Sequence, residues 1–440
     1  VSSLTIIGGG PSGMATAYFA KKRGLEFNVF ERNNQIGGNC TTFEKDFYFW
    51  DSGAHRIHNR NPFVMEEIKK IIGDQLIKVS RPSKIYFNGK FINFPLSLPD
   101  LLLNIDFAVL LNSAIDIISC YLKNSAIKAE DFESIVRKRY GKPMADLFLF
   151  NYTRKLWGIP LSKLSMEVAG KRLSGLSIKD IIRSFLFGSK YSTDLEGDFY
   201  YPANGIGTIM NRLHTICGKQ NVYENSSITK IKHNSKRIEG IVVNGKYKLV
   251  DHLISTLPVD SFIKLLCPSP PQVIKEISTK FKYRSLTLIV FFLDKKMVSN
   301  AATLYFPNKK YPFTRIYEPK NRSDLMAPHG KTSLIVEIPH DHLKTDEIRS
   351  NIASLTDSVK DILIELELFC NDEVLDTTYN QLTHAYPVID TKTKIYKKKI
   401  TNYLSSFSNL SISGRNSLFK YISLHDVFSD GKKIVSNLQA

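Results

Sequence analysis

Apolar and polar positions set a rhythm from the first residues. Leu4-Thr5-Ile6-Ile7 is a short apolar run ending in glycines, the pattern of a strand covered on both faces. Between Gly13 and Arg23, Met14, Ala15, Ala17, Tyr18 and Ala20 recur at helical spacing and predict a helix with a small-residue face. Phe27-Asn28-Val29-Phe30 predicts a second strand. A strand, a glycine turn, a helix and a strand in about 30 residues match one nucleotide-binding half-domain.

The rhythm then changes several times. Residues 84–95 read as a hairpin turning at Asn88-Gly89. Residues 98–190 read as mainly helical, with loops at Gly141-Lys142-Pro143 and Gly158-Ile159-Pro160. Tyr201-Pro202 and Gly205-Ile206-Gly207 open a helix through Cys217. Short strands are expected near Val222 and over residues 228–232, 238–243 and 253–256. Alternation over residues 285–293, 302–306, 314–317 and 332–338 predicts an antiparallel sheet. Helices are expected over residues 346–369 and after Leu424. The fold class that follows is α/β: a Rossmann-like dinucleotide domain, an inserted helical domain and an antiparallel-sheet substrate domain. The expected boundaries are 1–80, 203–260 and 400–440 for the discontinuous first domain, 96–200 for the helical insert, and 81–95 with 261–399 for the third.

Composition narrows the partners. At 440 residues and 43% hydrophobic, the chain has enough apolar material for more than one core, which excludes wholesale disorder. Lys+Arg 60 against Asp+Glu 42 leaves +18, which favours an anionic partner. The lysine run at residues 394–399 reads as a solvated face, and no nucleic-acid module is evident. Cys40, Cys120, Cys217, Cys267 and Cys370 are scattered without metal-ligand spacing, as free thiols in a reducing compartment would be. No metal is therefore expected. The first strand begins so early that no signal peptide is expected. The most apolar stretch, residues 96–122, is interrupted by Asp100, Asn104, Asp106, Asn112 and Asp116. It reads as a buried or domain-contact helix rather than a membrane span, with a place on a membrane surface as the alternative. A soluble cytoplasmic protein is expected, with a homodimer among its allowed assemblies.

Candidate chemistry begins at Gly8-Gly9-Gly10-Pro11-Ser12-Gly13, which fits G-x-G-x-x-G between a strand and a helix. Gly8 permits the tight turn, Gly10 lets a pyrophosphate approach the backbone, and Gly13 allows close helix–strand packing. Pro11 and Ser12 open the helix, whose free N–H groups suit a phosphate. Glu31, ending the second strand, suits a ribose and argues against a 2′-phosphate there. Arg32 follows it, and then Gly37-Gly38-Asn39. That second glycine pair resembles the FAD-binding fold of flavoprotein oxidases (glutathione-reductase type), as do Thr256 in Ser255-Thr256-Leu257-Pro258 and Gly414-Arg415. The expected cofactor is FAD, with Ile228 and His55 completing its candidate contacts.

Further motifs follow in order: Asp51-Ser52-Gly53-Ala54-His55-Arg56-Ile57-His58, Asn151-Tyr152-Thr153-Arg154-Lys155-Leu156-Trp157-Gly158, Lys171-Arg172-Leu173 and Phe313-Thr314-Arg315-Ile316-Tyr317-Glu318. Ala385-Tyr386-Pro387-Val388 and Gly414-Arg415-Asn416-Ser417-Leu418-Phe419-Lys420-Tyr421 complete the series. Together they resemble the UDP-galactopyranose mutase family and its protoporphyrinogen-oxidase-like relatives over most of the chain. The resemblance implies His58 beside the flavin, Tyr152 and Trp157 at the uridine, and Arg172 and Arg315 on the diphosphate. It implies Tyr386 and Tyr421 on phosphates or sugar, Arg415 near the isoalloxazine, and the N-terminus of the helix after Leu424 at the flavin carbonyls. The catalytic set it implies is His58, Arg315, Arg415 and Tyr421. Ser423 stands where the family often has Asp, and Asn416 and His425-Asp426 look more like the oxidase-like branch or the eukaryotic-type mutases.

The function this implies is exchange of a UDP-hexose between pyranose and furanose forms. Reduced flavin N5 attacks the anomeric carbon and UDP leaves, with NAD(P)H as an external reductant. The alternative is net oxidation of a porphyrinogen, polyene, amine or sugar nucleotide by FAD. Fold does not decide between them; the site does.

Overall fold

Ser3–Ile7 is buried along nearly its whole length because it pairs on both sides, with Glu26–Phe30 and with His252–Ser255. The computed structural model describes residues 3–59, 61–94, 98–122, 131–168 and 198–438. The sheet extends to Leu410–Ile412 on one side and Val222–Tyr223 on the other. All its pairings are parallel, so the carboxyl ends of its five strands share one edge. The first strand is central and its partners depart to opposite sides, which opens a crevice at that edge.

Helix Pro11–Lys22 packs against Gly207–Cys217 and Leu424–Asn437. Its small residues permit this: a Cβ on Gly431 would lie 3.1 Å from the Thr16 nitrogen. Met14, Ala15 and Ala17 are buried there with Ile209, Leu213 and Phe428.

A second, seven-stranded sheet has the order Val374–Pro387, Tyr283–Leu293, Thr332–Asp341, Arg315–Tyr317, Thr303–Tyr305, Ser83–Phe87, Lys90–Phe94. Neighbours are antiparallel except Thr303–Tyr305 beside Ser83–Phe87. That parallel pair joins segments far apart in sequence, where no turn dictates direction. Every residue of Tyr283–Leu293 is buried, as a central strand requires. The edge strand Val374–Pro387 escapes sequence reading because Thr377, Thr378, Asn380, Gln381 and Thr383 make it polar, and an edge facing solvent tolerates that.

A run of helices follows the hairpin of the second sheet in the chain. Helix Phe132–Tyr140 starts at Asp131, whose carboxylate accepts from the Ser134 N–H at 2.9 Å. After a π turn at Asp146–Phe150, helix Asn151–Trp157 stops at Gly158, which is left-handed at φ 67°. The stretch expected to be one buried or contact helix is two, Leu98–Asn104 and Phe107–Leu122, and burial covers only one side of the second. Ser113 is buried under Gly141, while Phe107, Leu111 and Ile115 are exposed. Among the described residues no helix is long and apolar enough to cross a membrane.

Candidate functional site

The parallel sheet's carboxyl edge gathers three glycine loops. Gly8 has φ 101°, and a Cβ there would fall 2.2 Å from Thr256 Oγ1. A Cβ on Gly13 would fall 1.9 Å from the Gly8 carbonyl oxygen. Gly38 lies against Gly10, where a Cβ would meet the Gly10 Cα at 3.2 Å, and a Cβ on Gly414 would meet Ser12 Oγ at 2.6 Å. The Gly37 N–H donates to the Gly9 carbonyl at 3.0 Å, fixing the second loop on the first. The backbone thus forms a cradle that side chains would fill.

Glu31 is buried and accepts from the N–H groups of Gly9 (2.7 Å) and Asn33 (2.9 Å). Helix Pro11–Lys22 begins at Gly10 with no side-chain cap and no acidic residue in its first turn. An uncapped helix start facing glycines suits a pyrophosphate. The residues present therefore fit a dinucleotide such as FAD. Ile228 begins a strand two residues after Ser226, whose N–H donates to the Glu31 carbonyl at 2.7 Å. Arg32 is exposed, and its charge reaches His384. Asn39 and Asn416 both donate through Nδ2 to the His384 carbonyl, at 3.3 and 2.8 Å.

A second cluster is built of side chains. Register across the seven-stranded sheet sets Tyr305 opposite Arg315 and Arg315 opposite Glu337. Arg315 Nε donates to Glu337, and Arg315 Nη2 donates to the Tyr386 hydroxyl at 3.2 Å. Burial works against the Arg315 charge, but Glu337 foremost, with Tyr386, Tyr152 and Tyr305, more than offsets it and holds the guanidinium ionised. The other Glu337 oxygen accepts from the Ala54 N–H at 3.1 Å, tying the Gly53 turn to the same pair.

Aromatic rings enclose this pair. Tyr152 meets Tyr305 edge-on at 5.8 Å. Trp157 meets Tyr386 and Tyr421 at 5.9 and 5.7 Å, and Tyr386 lies 6.0 Å from Tyr421. Burial raises the Tyr152 and Tyr386 hydroxyl pKa values, so both remain neutral donors. Arg415 lies over the Tyr421 and Tyr386 rings, at 5.4 and 5.7 Å. It donates to the carbonyls of Ile422 and Ala385.

Trp157 is placed by its helix end. Arg284 donates to the Leu156 and Lys155 carbonyls at 2.9 and 3.0 Å, a cation at a helix C-terminus. Lys155 donates to the carbonyls of Asn308 (2.9 Å), Tyr311 (3.2 Å) and Phe313 (2.8 Å), which fastens the loop leading into Arg315.

The two histidines separate. His55 faces Arg415, Arg315 and Arg322, and burial with those charges depresses it to about 3. His58 instead lies beside Phe199, ring centres 6.3 Å apart. Arg172 falls outside the described residues. The helix after Ser423 is closed by its own acid: Asp426 accepts from the Ser423 N–H and hydroxyl, both at 2.7 Å. This gives Ser423 and Asp426 a local capping role, and the acid offsets the positive helix end expected at the flavin.

Sequence reasoning missed Glu337 and Tyr305. Glu337 had a signal, a lone carboxylate within the apolar run Leu334-Ile335-Val336-Glu337-Ile338. Tyr305 had none. Also unforeseen is the support under the Gly53 turn. Asp51 is buried and accepts from Tyr201 (2.5 Å), Thr42 (2.7 Å) and the Ile206 N–H (3.0 Å), while Arg322 stacks on Tyr317 at 4.6 Å. Among the described residues no group of His, Cys, Asp and Glu is placed to hold a metal ion.

A family model described as flavin containing amine oxidoreductase matches residues 11–365. The chain is 24% identical over 417 residues to a 4,4'-diapophytoene desaturase (4,4'-diaponeurosporene-forming) of Staphylococcus aureus (strain MRSA252), covering 82% of this chain and 80% of that protein. It is 22% identical over 347 residues to a 1-hydroxycarotenoid 3,4-desaturase of Flavobacterium sp. (strain P99-3), covering 72% and 69%. Among solved structures, a reduced UDP-galactopyranose mutase superposes with a TM-score of 0.83 at 19% identity, covering 99% of this chain and 95% of that one. At that identity the likeness concerns the fold.

Proposed function

Because the chain belongs to the flavin containing amine oxidoreductase family and is a flavin-dependent enzyme, we propose that it interconverts pyranose and furanose forms of a UDP-hexose. One observation carries the reading. Tyr152, Trp157, Arg315, Tyr386, Arg415 and Tyr421 come from separate chain segments and meet in one cluster, which would form the wall of the proposed substrate chamber. Those types suit a nucleoside diphosphate sugar: rings for a base and sugar, hydroxyls and a planar guanidinium for the diphosphate.

Among the described residues Arg315 uses two of its five N–H donors, and the remainder are free to grip a leaving diphosphate. Glu337 and Tyr386 hold the fork in one orientation, so little reorganisation accompanies charge development on the leaving group. Tyr386 and Tyr421 present hydroxyls beside it. His55 is a neutral imidazole at working pH and adds no charge. Trp157 is buried against Tyr386 and Tyr421 and keeps water from that side of the cluster. The glycine cradle and Glu31 would hold FAD, which in its reduced form would supply a nucleophile for the anomeric carbon. Arg172 joins the proposed diphosphate contacts from its motif alone. His58 is retained as the proposed flavin neighbour on the resemblance, with His55 the better placed of the two for the arginines.

A second reading has its own support. Glu337 neutralises Arg315, so the chamber is less cationic than its arginines suggest, and the sequence relatives are named as desaturases. Net oxidation of an apolar substrate fits that. Titrating the purified flavoprotein with UDP and a UDP-hexose panel, oxidised and dithionite-reduced, separates the two. UDP binding with an isomeric sugar nucleotide formed only by the reduced protein is the expected result. Absence of UDP binding to folded flavoprotein, or stoichiometric flavin reduction by the substrate itself, turns the assignment to net oxidation.

A further inference from the structure

Helix Phe107–Leu122 is apolar on both sides, and among the described residues only one side is covered. Val109 and Leu110 pack inward on the main core. Outward, Phe107 is 75% exposed, Leu122 82%, and Leu111, Ile115 and Ile118 about half. The intervals of four, four, three and four residues place these five on one stripe, with the spacing of a coiled-coil seam. Leu102 and Leu103, also exposed, extend the patch.

We propose that this stripe is a homodimer interface, in which the helix packs antiparallel on the same helix of a second copy. The two-fold axis passes between Ala114 and Ile115, both exposed. About that point the stripe is self-complementary. Phe107 of one copy meets Leu122 of the other, Leu111 meets Ile118, and Ile115 meets Ala114. An isologous contact demands such internal pairing.

Charge and area select a second copy as the occupant. Residues 98–122 contain Asp100, Asp106 and Asp116 but no Lys or Arg, in a chain of net charge +18. A helix lying on an anionic lipid surface carries its cations on the flanks of the apolar face, and this one has none. Asp116 is already paired bidentately with Arg137, at 2.9 and 2.5 Å, so its charge is met within the chain. Two copies therefore approach along this seam without the repulsion their net charge would otherwise impose. Single chains rarely expose apolar patches beyond a few hundred Å². Seven large side chains at these exposures approach the ~800 Å² per partner of a stable interface.

Sedimentation equilibrium of the full-length holoprotein at micromolar concentration tests this. A dimer is expected for the wild type. Ile115→Glu sets two carboxylates beside the axis and is expected to raise the dimer dissociation constant at least 100-fold, with flavin absorbance unchanged. A second measurement does not depend on that variant. With Cys120 and Cys370 replaced by serine, Ile115→Cys should form an intermolecular disulfide on mild oxidation, and Val273→Cys, exposed on another helix, should not. A monomeric wild type overturns the proposal, as does a dimer that Ile115→Glu leaves intact and Ile115→Cys fails to crosslink. Wild type that floats with neutral or anionic phospholipid vesicles and loses this on Ile115→Glu assigns the stripe to lipid and also overturns it.

Discussion

The two ends of the candidate site are built from different material. At the end proposed for the cofactor the candidate groups are backbone. Gly8, Gly13, Gly38 and Gly414 are defined by what a Cβ would strike, and Glu31 adds a buried carboxylate. At the proposed chamber end the candidate groups are side chains from distant segments, aligned by sheet register and ring packing. A backbone site fails when atoms are added. A side-chain site fails when they are removed or left without partners.

The largest effect is expected from adding atoms. Gly13→Val forces a branched side chain against the Gly8 carbonyl, where even a Cβ would sit at 1.9 Å. Backbone there cannot yield as a flexible side chain would. The variant should purify with less than roughly a tenth of the wild-type flavin, read as absorbance near 450 nm per chain. Flavin content near that of the wild type would show that the glycine cradle does not hold the cofactor.

That contrast also governs what could be read beforehand. Gly8 to Gly13, Glu31 and Gly37-Gly38 lie within one short stretch, and each answers to a local rule of turn, helix start or ribose contact. The parallel sheet was legible for the same reason, since Leu4 to Ile7 and Phe27 to Phe30 are unbroken apolar runs. The chamber follows no local rule. Tyr152, Arg315 and Tyr386 were reached only through resemblance, and Tyr305 belongs because strand register puts it opposite Arg315. Glu337 was visible as a misplaced charge, yet nothing in its neighbours names Arg315 as its partner. The polar edge strand Val374–Pro387, which carries Tyr386, reads as loop for want of alternation.

The next effect comes from removing a partner. Glu337→Gln leaves Arg315 as a buried cation without its counter-charge, at a cost of about 3 kcal/mol in urea unfolding of the holoenzyme. Replacing both, as Arg315→Met with Glu337→Leu, should recover most of that stability while UDP binding stays lost. A double variant no more stable than Glu337→Gln would show that the pair is structural rather than kept for its ligand.

A finer change tests the fork itself. Arg315→Lys keeps the positive charge and removes the planar donor array. UDP affinity by calorimetry should fall about tenfold, roughly 1.4 kcal/mol, with FAD content unaltered. Equal affinity would mean that charge alone suffices, which a less specific anion site would also provide.

The smallest effect lies where the two ends meet, at His55. Burial and the arginines Arg415, Arg315 and Arg322 depress its folded pKa to about 3, from an unfolded value of 6.5. In that interval the unfolded chain binds a proton that the folded chain does not, so stability rises with pH. The contribution is complete above about pH 7 and is lost as pH falls through 6.5 towards 3. Between pH 8 and pH 6 it amounts to about 1 kcal/mol. His55→Gln removes the titration, so its unfolding free energy should vary less over that range than the wild type's, by about that amount. His384, depressed to about 4 by burial first and by His342, remains in both proteins and cancels in the difference. Parallel pH profiles would mean that His55 takes up its proton at the same pH folded and unfolded. Below about pH 6.5 it would then stand as a cation among the arginines, and the chamber would hold an anion more strongly there than the neutral imidazole allows.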